Sequence, residues 1–263
     1  MHMRSLQFCT VQREGPLTIV TLARPEVLNA LHAPANFELS GVFDDFSADP
    51  AQAVAIITGA GARAFCAGND LKHQAAGGDM TRAPGGFGGL TVRHTLDKPV
   101  IAAVNGIAMG GGFELALACD LIIASSDALF ALPEPRVGMA ALGGGIQRLA
   151  RQIGMKQAAG LLLTGRRVDA RDGERLGFVN EVAAPGTVLA AARRWAGLML
   201  ECSPAAVRAT KQAVRLGLEE RDLGKAIEAQ RSYPAVRAML ESEDYVEGPL
   251  AFAQKRKPAW QLG

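Results

Sequence analysis

Gly106-Ile107-Ala108-Met109-Gly110-Gly111-Gly112-Phe113-Glu114 is the stretch on which the reading of the fold turns. Just before it, Pro99-Val100-Ile101-Ala102-Ala103-Val104 is apolar throughout, the pattern of a strand buried on both faces of a parallel sheet. Just after it, Phe113 to Cys119 is apolar except for Glu114 and reads as a buried helix. Three glycines between a buried strand and a buried helix let another group approach the backbone closely. The helix start leaves N–H groups unpaired and carries a partial positive charge. An anion, or an oxygen that becomes one, fits there. Glu114 follows Gly111 by about one helical turn and so returns to the same spot. A carboxylate inside an apolar helix rarely lacks a partner or a task. Capping its own helix start is the simpler role.

Outward from this unit, Leu17 to Leu22, Val54 to Thr58, Leu121 to Ala124, Leu129 to Leu132 and Phe178 to Val182 read as further strands. From Ala35 to Phe46 apolar residues recur at helical spacing. Gly77 to Gly89, rich in glycine with one proline, reads as a mobile loop. Beyond Gly143 helical patterns dominate, and beyond Ser203-Pro204 only helices are expected. The reading is a layered α/β core over 1–202 with a helical C-terminal region over 203–263.

Two further segments carry candidate chemistry. Arg63-Ala64-Phe65-Cys66-Ala67-Gly68-Asn69-Asp70-Leu71-Lys72 is a glycine-containing turn after a strand, so its N–H groups can face a cleft. Its simpler reading is a turn with Asn69-Asp70 capping a short helix. Glu134 ends the apolar run Phe130-Ala131-Leu132-Pro133. A second carboxyl near Glu114 would split their pKa values, so that one holds a proton while the other accepts one. Surface placement is the plainer alternative for Glu134. Gly59-Ala60-Gly61-Ala62-Arg63-Ala64 fits a dinucleotide fingerprint, with Asp79 near the ribose-binding position. The fingerprint needs a long helix next, whereas Phe65 to Asp70 turns again at once. The few methionines, such as Met139, read as core filler.

Composition narrows the classes. With 263 residues, 49% hydrophobic and 21% charged, the chain can bury a substantial core. A formal net charge of +2 and no basic stripe argue against nucleic-acid binding. No apolar run is long enough to span a bilayer. The start, Met1-His2-Met3-Arg4-Ser5, lacks the apolar stretch of a leader. Cys9, Cys66, Cys119 and Cys202 are scattered, as expected for reduced thiols in a cytoplasmic protein.

Together these segments resemble the enoyl-CoA hydratase/isomerase (crotonase) family. Ala64 to Lys72 resembles its first oxyanion segment, and Lys98 to Gly106 running into Gly110-Gly111-Gly112-Phe113-Glu114 resembles its most specific motif. Pro133-Glu134 matches its second acid, and Ala251-Phe252-Ala253-Gln254-Lys255-Arg256 its C-terminal signature. The resemblance implies a spiral of ββα turns whose C-terminal helices build trimers, often paired into hexamers. It implies that the N–H groups of Asn69 and Gly111 form an oxyanion hole for a thioester carbonyl. Glu114 and Glu134 would be the acid/base pair, Glu114 chiefly on the water side. Val27, Ala67, Asp70, Leu71 and Lys72 would line the coenzyme-A path. Phe252 and Lys255 would reach the coenzyme A of a neighbouring subunit. Coenzyme A enters as part of the substrate, with no metal or separate cofactor. Family members lacking both glutamates do other chemistry, so retention of both favours hydration. A double-bond isomerase and a non-catalytic acyl-CoA-binding protein are the alternatives.

Within the family, a finer resemblance points to members that hydrate crotonobetainyl-CoA. It is carried by Gly68 to Lys72, Gly85 to Thr91, Phe113 to Ala118 and Glu247 to Ala253. Phe87 and Phe113 are the aromatic candidates to face a trimethylammonium group. Gly138-Met139-Ala140-Ala141-Leu142-Gly143-Gly144-Gly145 departs from the family by lacking a proline between its glycines.

Overall fold

The computed structural model describes residues 6–262. The start that was read as leaderless, residues 1–5, lies outside them. Strands β1 (Cys9–Glu14), β2 (Leu17–Leu22), β3 (Val54–Gly59), β4 (Ala64–Cys66), β5 (Val100–Val104), β6 (Ile107–Met109), β7 (Leu121–Ser125), β8 (Leu129–Ala131), β9 (Val168–Asp169) and β10 (Glu181–Ala183) form two sheets. The larger has the order β1-β2-β3-β5-β7-β10 and the smaller β4-β6-β8-β9. Within the larger sheet only β1 runs antiparallel to its neighbour, and within the smaller only β9 does.

The helices are α1 (Ala33–Ala48), α2 (Leu71–Ala75), α3 (Gly111–Ala118), α4 (Gly145–Gln152), α5 (Met155–Thr164), α6 (Ala170–Leu176), α7 (Val188–Leu200), α8 (Pro204–Gly217), α9 (Leu223–Ala229), α10 (Pro234–Leu240) and α11 (Glu243–Ala253). Chain order then explains the shape. The turns β3-β4-α2, β5-β6-α3 and β7-β8-α4 each lay one strand in the larger sheet, one in the smaller, and then a helix. This is a spiral of ββα turns. Beyond Ser203 every described element is helical.

Both faces of the larger sheet are covered, which is why its strands are apolar at consecutive positions. Leu17, Ile19, Val54, Ile56, Ile101, Ala103 and Ile123 point to one side, against Val188, Ala191, Ala192 and Ala196 of α7. The alternate residues Val20, Leu22, Ala55, Ile57, Ala102, Val104 and Ile122 point to the other, toward α1, α3 and the smaller sheet. Each such buried aliphatic side chain contributes about 1.5–3 kcal/mol relative to exposure.

Several expectations need correction. The strand expected over Phe178 to Val182 is confined to Glu181–Ala183, while Phe178 and Val179 turn into the core. The segment read as a simple turn at Arg63 to Lys72 contains β4, all three residues of it buried. The loop from Gly77 to Gly89 is packed at its end: Gly88 N–H donates to Asn36 Oδ1 and Gly85 N–H to Ser40 Oγ, both on α1. Met139 is exposed and fills no core.

Candidate active site

The turn from β6 into α3 is set by close approach. A Cβ on Gly112 would run into the Cys66 carbonyl of β4, so only glycine lets α3 start this near the smaller sheet. Gly111 is the first residue of α3. The Gly68 backbone abuts it, since a Cβ on Gly68 would lie 3.2 Å from the Gly111 nitrogen. The loop that carries Gly68 and Asn69 is held from the other side by Leu31, whose N–H donates to the Gly68 carbonyl at 2.9 Å and whose carbonyl accepts from Asp70 N–H at 2.9 Å. Between those two bonds the Asn69 N–H is left over. Neither it nor the Gly111 N–H has an acceptor among the described residues. The Asn69 side chain is turned away, donating to Gln74 Oε1.

Glu114 is 5% exposed. Its Oε1 accepts the N–H of Gly145, the first residue of α4, at 2.8 Å. Burial pushes its carboxyl above the usual range, while the N–H groups of Gly145 and Gly143 and the Arg148 guanidinium pull it back. Glu134 opens the single 3-10 turn after β8. Its Oε2 is buried without a partner. Burial raises its carboxyl too; its own backbone N–H opposes this, and the charge of Glu114 adds to it. The two glutamates are therefore close enough to sense each other, and Glu134 is the one with fewer groups stabilising its anion. Burial thus makes both carboxyls weaker acids than usual, and the hydrogen bonds and the Arg148 charge offset this at Glu114.

Phe87 stands over the same place. A Cβ on Gly111 would lie 2.8 Å from the ring. The main chain at Phe87 is held by its N–H donating to Thr91 Oγ1 at 2.8 Å. Phe113, the other aromatic candidate, is 1% exposed and packs against Phe130 and Phe178 at centroid distances of 5.1 Å. It is core and faces no ligand.

The remaining candidates divide. Ala67 is half-buried and tied by its N–H to the Leu28 carbonyl, one residue from the half-buried Val27, so these two lie together. Leu71 and Lys72 are exposed on α2 beside them. Asp70 is buried; it caps α2 through His73 N–H and pairs with Arg24 at 3.0 Å, so its carboxylate is already engaged. Phe252, 88% exposed, and Lys255 belong to the C-terminal helix α11 and the turn after it, which packs on α10. Sequence reasoning missed Arg148 and the Gly143–Gly145 support of Glu114. The run of three glycines opening α4 was the available signal.

The site thus sets two backbone N–H groups without acceptors, those of Asn69 and Gly111, beside the Glu114 and Glu134 carboxyls on a spiral of ββα turns. The enoyl-CoA hydratase/isomerase family model matches residues 12–262. This chain is an enzyme of the enoyl-CoA hydratase/isomerase family. Carnitinyl-CoA dehydratase of Citrobacter koseri is 45% identical over 255 residues, covering 95% of this chain and 96% of that protein. Among solved structures, enoyl-CoA hydratase from Mycobacterium tuberculosis H37Rv superposes with a TM-score of 0.91 at 38% identity, covering 97% of this chain and 99% of that one. A carnitinyl-CoA dehydratase from Mycobacterium avium 104 matches at a TM-score of 0.77 and 38% identity, covering 98% and 100%. Among the described residues no helix is long and apolar enough to cross a membrane.

Proposed function

We propose that this enzyme reversibly adds water across the double bond of a 2-enoyl-CoA thioester. The observation that carries the reading is the pairing of two unoccupied N–H groups, at Asn69 and Gly111, with the buried, hydrogen-bonded Glu114 carboxyl and with Glu134, whose Oε2 is buried without a partner. The N–H pair receives the thioester oxygen as it gains enolate charge, where preorganised donors count most. Glu114, the better-stabilised anion, takes a proton from water as its oxygen attacks the β-carbon. Glu134 delivers a proton to the α-carbon. An isomerase would need only one of them as a shuttle, and a binding protein neither. This chemistry draws on no metal or nicotinamide.

Val27, Ala67, Leu71 and Lys72 form the coenzyme-A path in this reading, with Asp70 contributing through its backbone. Phe252 and Lys255, remote from their own site's glutamates along the chain, serve a neighbouring subunit of a trimer or a dimer of trimers. The cytoplasm suits the four free cysteines.

For the acyl group, the carnitinyl-CoA dehydratase relatives favour crotonobetainyl-CoA. Phe87 beside Gly111 offers the aromatic face that a trimethylammonium group needs. Val137, Met139 and Leu142 are exposed apolar residues on the segment between Glu134 and the Gly143–Gly145 turn. The test compares kcat/KM for crotonobetainyl-CoA and crotonyl-CoA. Preference for the betaine, reduced in Phe87→Ala by about 0.5–2 kcal/mol, supports the assignment. Preference for crotonyl-CoA leaves a general enoyl-CoA hydratase.

A further inference from the structure

Arg148 lies on α4, one turn past Gly144, and its guanidinium folds back over that glycine. A Cβ at position 144 would occupy the place of Arg148 Nη1. Gly144 also has φ +107°, a conformation that side chains resist and glycine adopts freely. The guanidinium makes two carbonyl contacts. Nη2 donates to the Thr91 carbonyl at 2.8 Å, and Nη1 donates to the Gly143 carbonyl at 3.4 Å. Thr91 is the residue whose hydroxyl holds Phe87. Gly143 and Gly145 flank the Glu114 carboxylate, and Gly145 donates to it.

We propose that Arg148 is a positioning residue that ties the Glu114 support at Gly143–Gly145 to the Phe87 loop at Thr91 and sets the charge balance of the acid/base pair. The groups facing Glu114 are few. Glu134 approaches from the turn after β8, Arg148 from α4, and the Gly143 and Gly145 backbone from the turn that opens α4. Arg148 is the one cation acting on either glutamate among the described residues. Burial lowers the guanidinium pKa, and the Cys119 and Glu114 side chains raise it. Arginine remains charged under these conditions because its intrinsic pKa is so high. A lysine has no fork with which to hold two carbonyls in fixed directions.

The proposal rests on Glu114 being the water-side base, and its test separates the two. Crotonyl-CoA hydration is followed against pH for the full-length wild type, Arg148→Gln and Arg148→Lys. The Glu114 carboxyl is titrated in each by 13C NMR, with circular dichroism as the check on folding. Losing the cation disfavours the Glu114 anion, so in Arg148→Gln the acid limb and the 13C titration should both move up by about one pH unit. Arg148→Lys should keep the limb but lose kcat by about tenfold with KM held, because alignment and not binding is damaged. An unmoved Glu114 titration in folded Arg148→Gln overturns the proposal. Should that variant not fold, Arg148→Lys decides: an unchanged kcat overturns it, and a kcat loss with KM held supports it. A wild type that hydrates nothing removes Glu114 as the base, and the NMR titration still decides what Arg148 does to it.

Discussion

Glu114 Oε1 accepts the Gly145 N–H at 2.8 Å, a bond that joins the helix after the glycine turn to the helix that follows Glu134. It steadies the Glu114 anion, whereas Glu134 Oε2 is buried with nothing to accept from. The two carboxyls thus differ in environment, and the proposed reaction needs both. Glu114→Gln and Glu134→Gln should each lower kcat by about a hundredfold or more, the scale of general acid–base catalysis. KM should change little. Near-normal turnover in either variant removes that residue from the pair.

The same burial has a stability consequence. Burial holds the Glu134 carboxyl above its ordinary value in the folded protein. Below the unfolded-state pKa both states keep the proton and nothing is lost. As pH rises through the folded pKa, the folded protein must ionise a buried group, and stability falls. Glu134→Gln escapes this penalty. Its Tm should exceed that of the wild type at pH 8, with the gap closing toward pH 4. A gap that does not vary with pH would contradict an acid held protonated by burial.

The oxyanion hole is read as backbone, which separates its two residues by mutation. Asn69→Ala loses only the side-chain bond to Gln74 and should keep most activity. Gly111→Pro removes a donor at a helix position that tolerates proline, and should cost about a hundredfold or more. Any side chain there also meets the Phe87 ring. Gly111→Ala, which keeps the N–H, measures that steric part, and the Pro-to-Ala ratio measures the donor. If Asn69→Ala is as damaging as Gly111→Pro, the Asn69 side chain does the chemistry.

Deleting the chain after Glu247 should weaken assembly and raise KM for CoA substrates together. The deletion also removes Trp260, whose indole N–H donates to the Glu201 carbonyl, so the local fold is disturbed as well. Phe252→Ser is the milder probe, because that side chain is 88% exposed in the single subunit. Unchanged mass by light scattering and unchanged KM in both variants would place the tail outside the interface and the site.

The central strands were legible in the sequence because both of their faces are buried, so every residue of β5 is apolar. β8 was legible as the apolar run Leu129 to Leu132, whereas the three-residue β4 and β6 sit inside glycine-containing segments and the two-residue β9 is too short to show a pattern. β1 does alternate, with Cys9 and Val11 turned to the core, and its turn at Gly15-Pro16 was the overlooked signal. At the site, Gly111 and Glu114 were legible as one local turn. The nearness of Glu134, Phe87 and Arg148 comes from packing between elements far apart in sequence. Phe113 was misjudged for the complementary reason: its neighbour in sequence lies about a third of a turn around the helix, and so on another face.

The most direct test is product analysis of purified protein with crotonyl-CoA in 18O-labelled water, without added metal or nicotinamide. Hydration predicts 3-hydroxybutyryl-CoA carrying one labelled oxygen at the β-carbon, and loss of that product in both Glu→Gln variants. Formation of an unlabelled double-bond isomer, or binding without turnover of either crotonyl-CoA or crotonobetainyl-CoA, would contradict it.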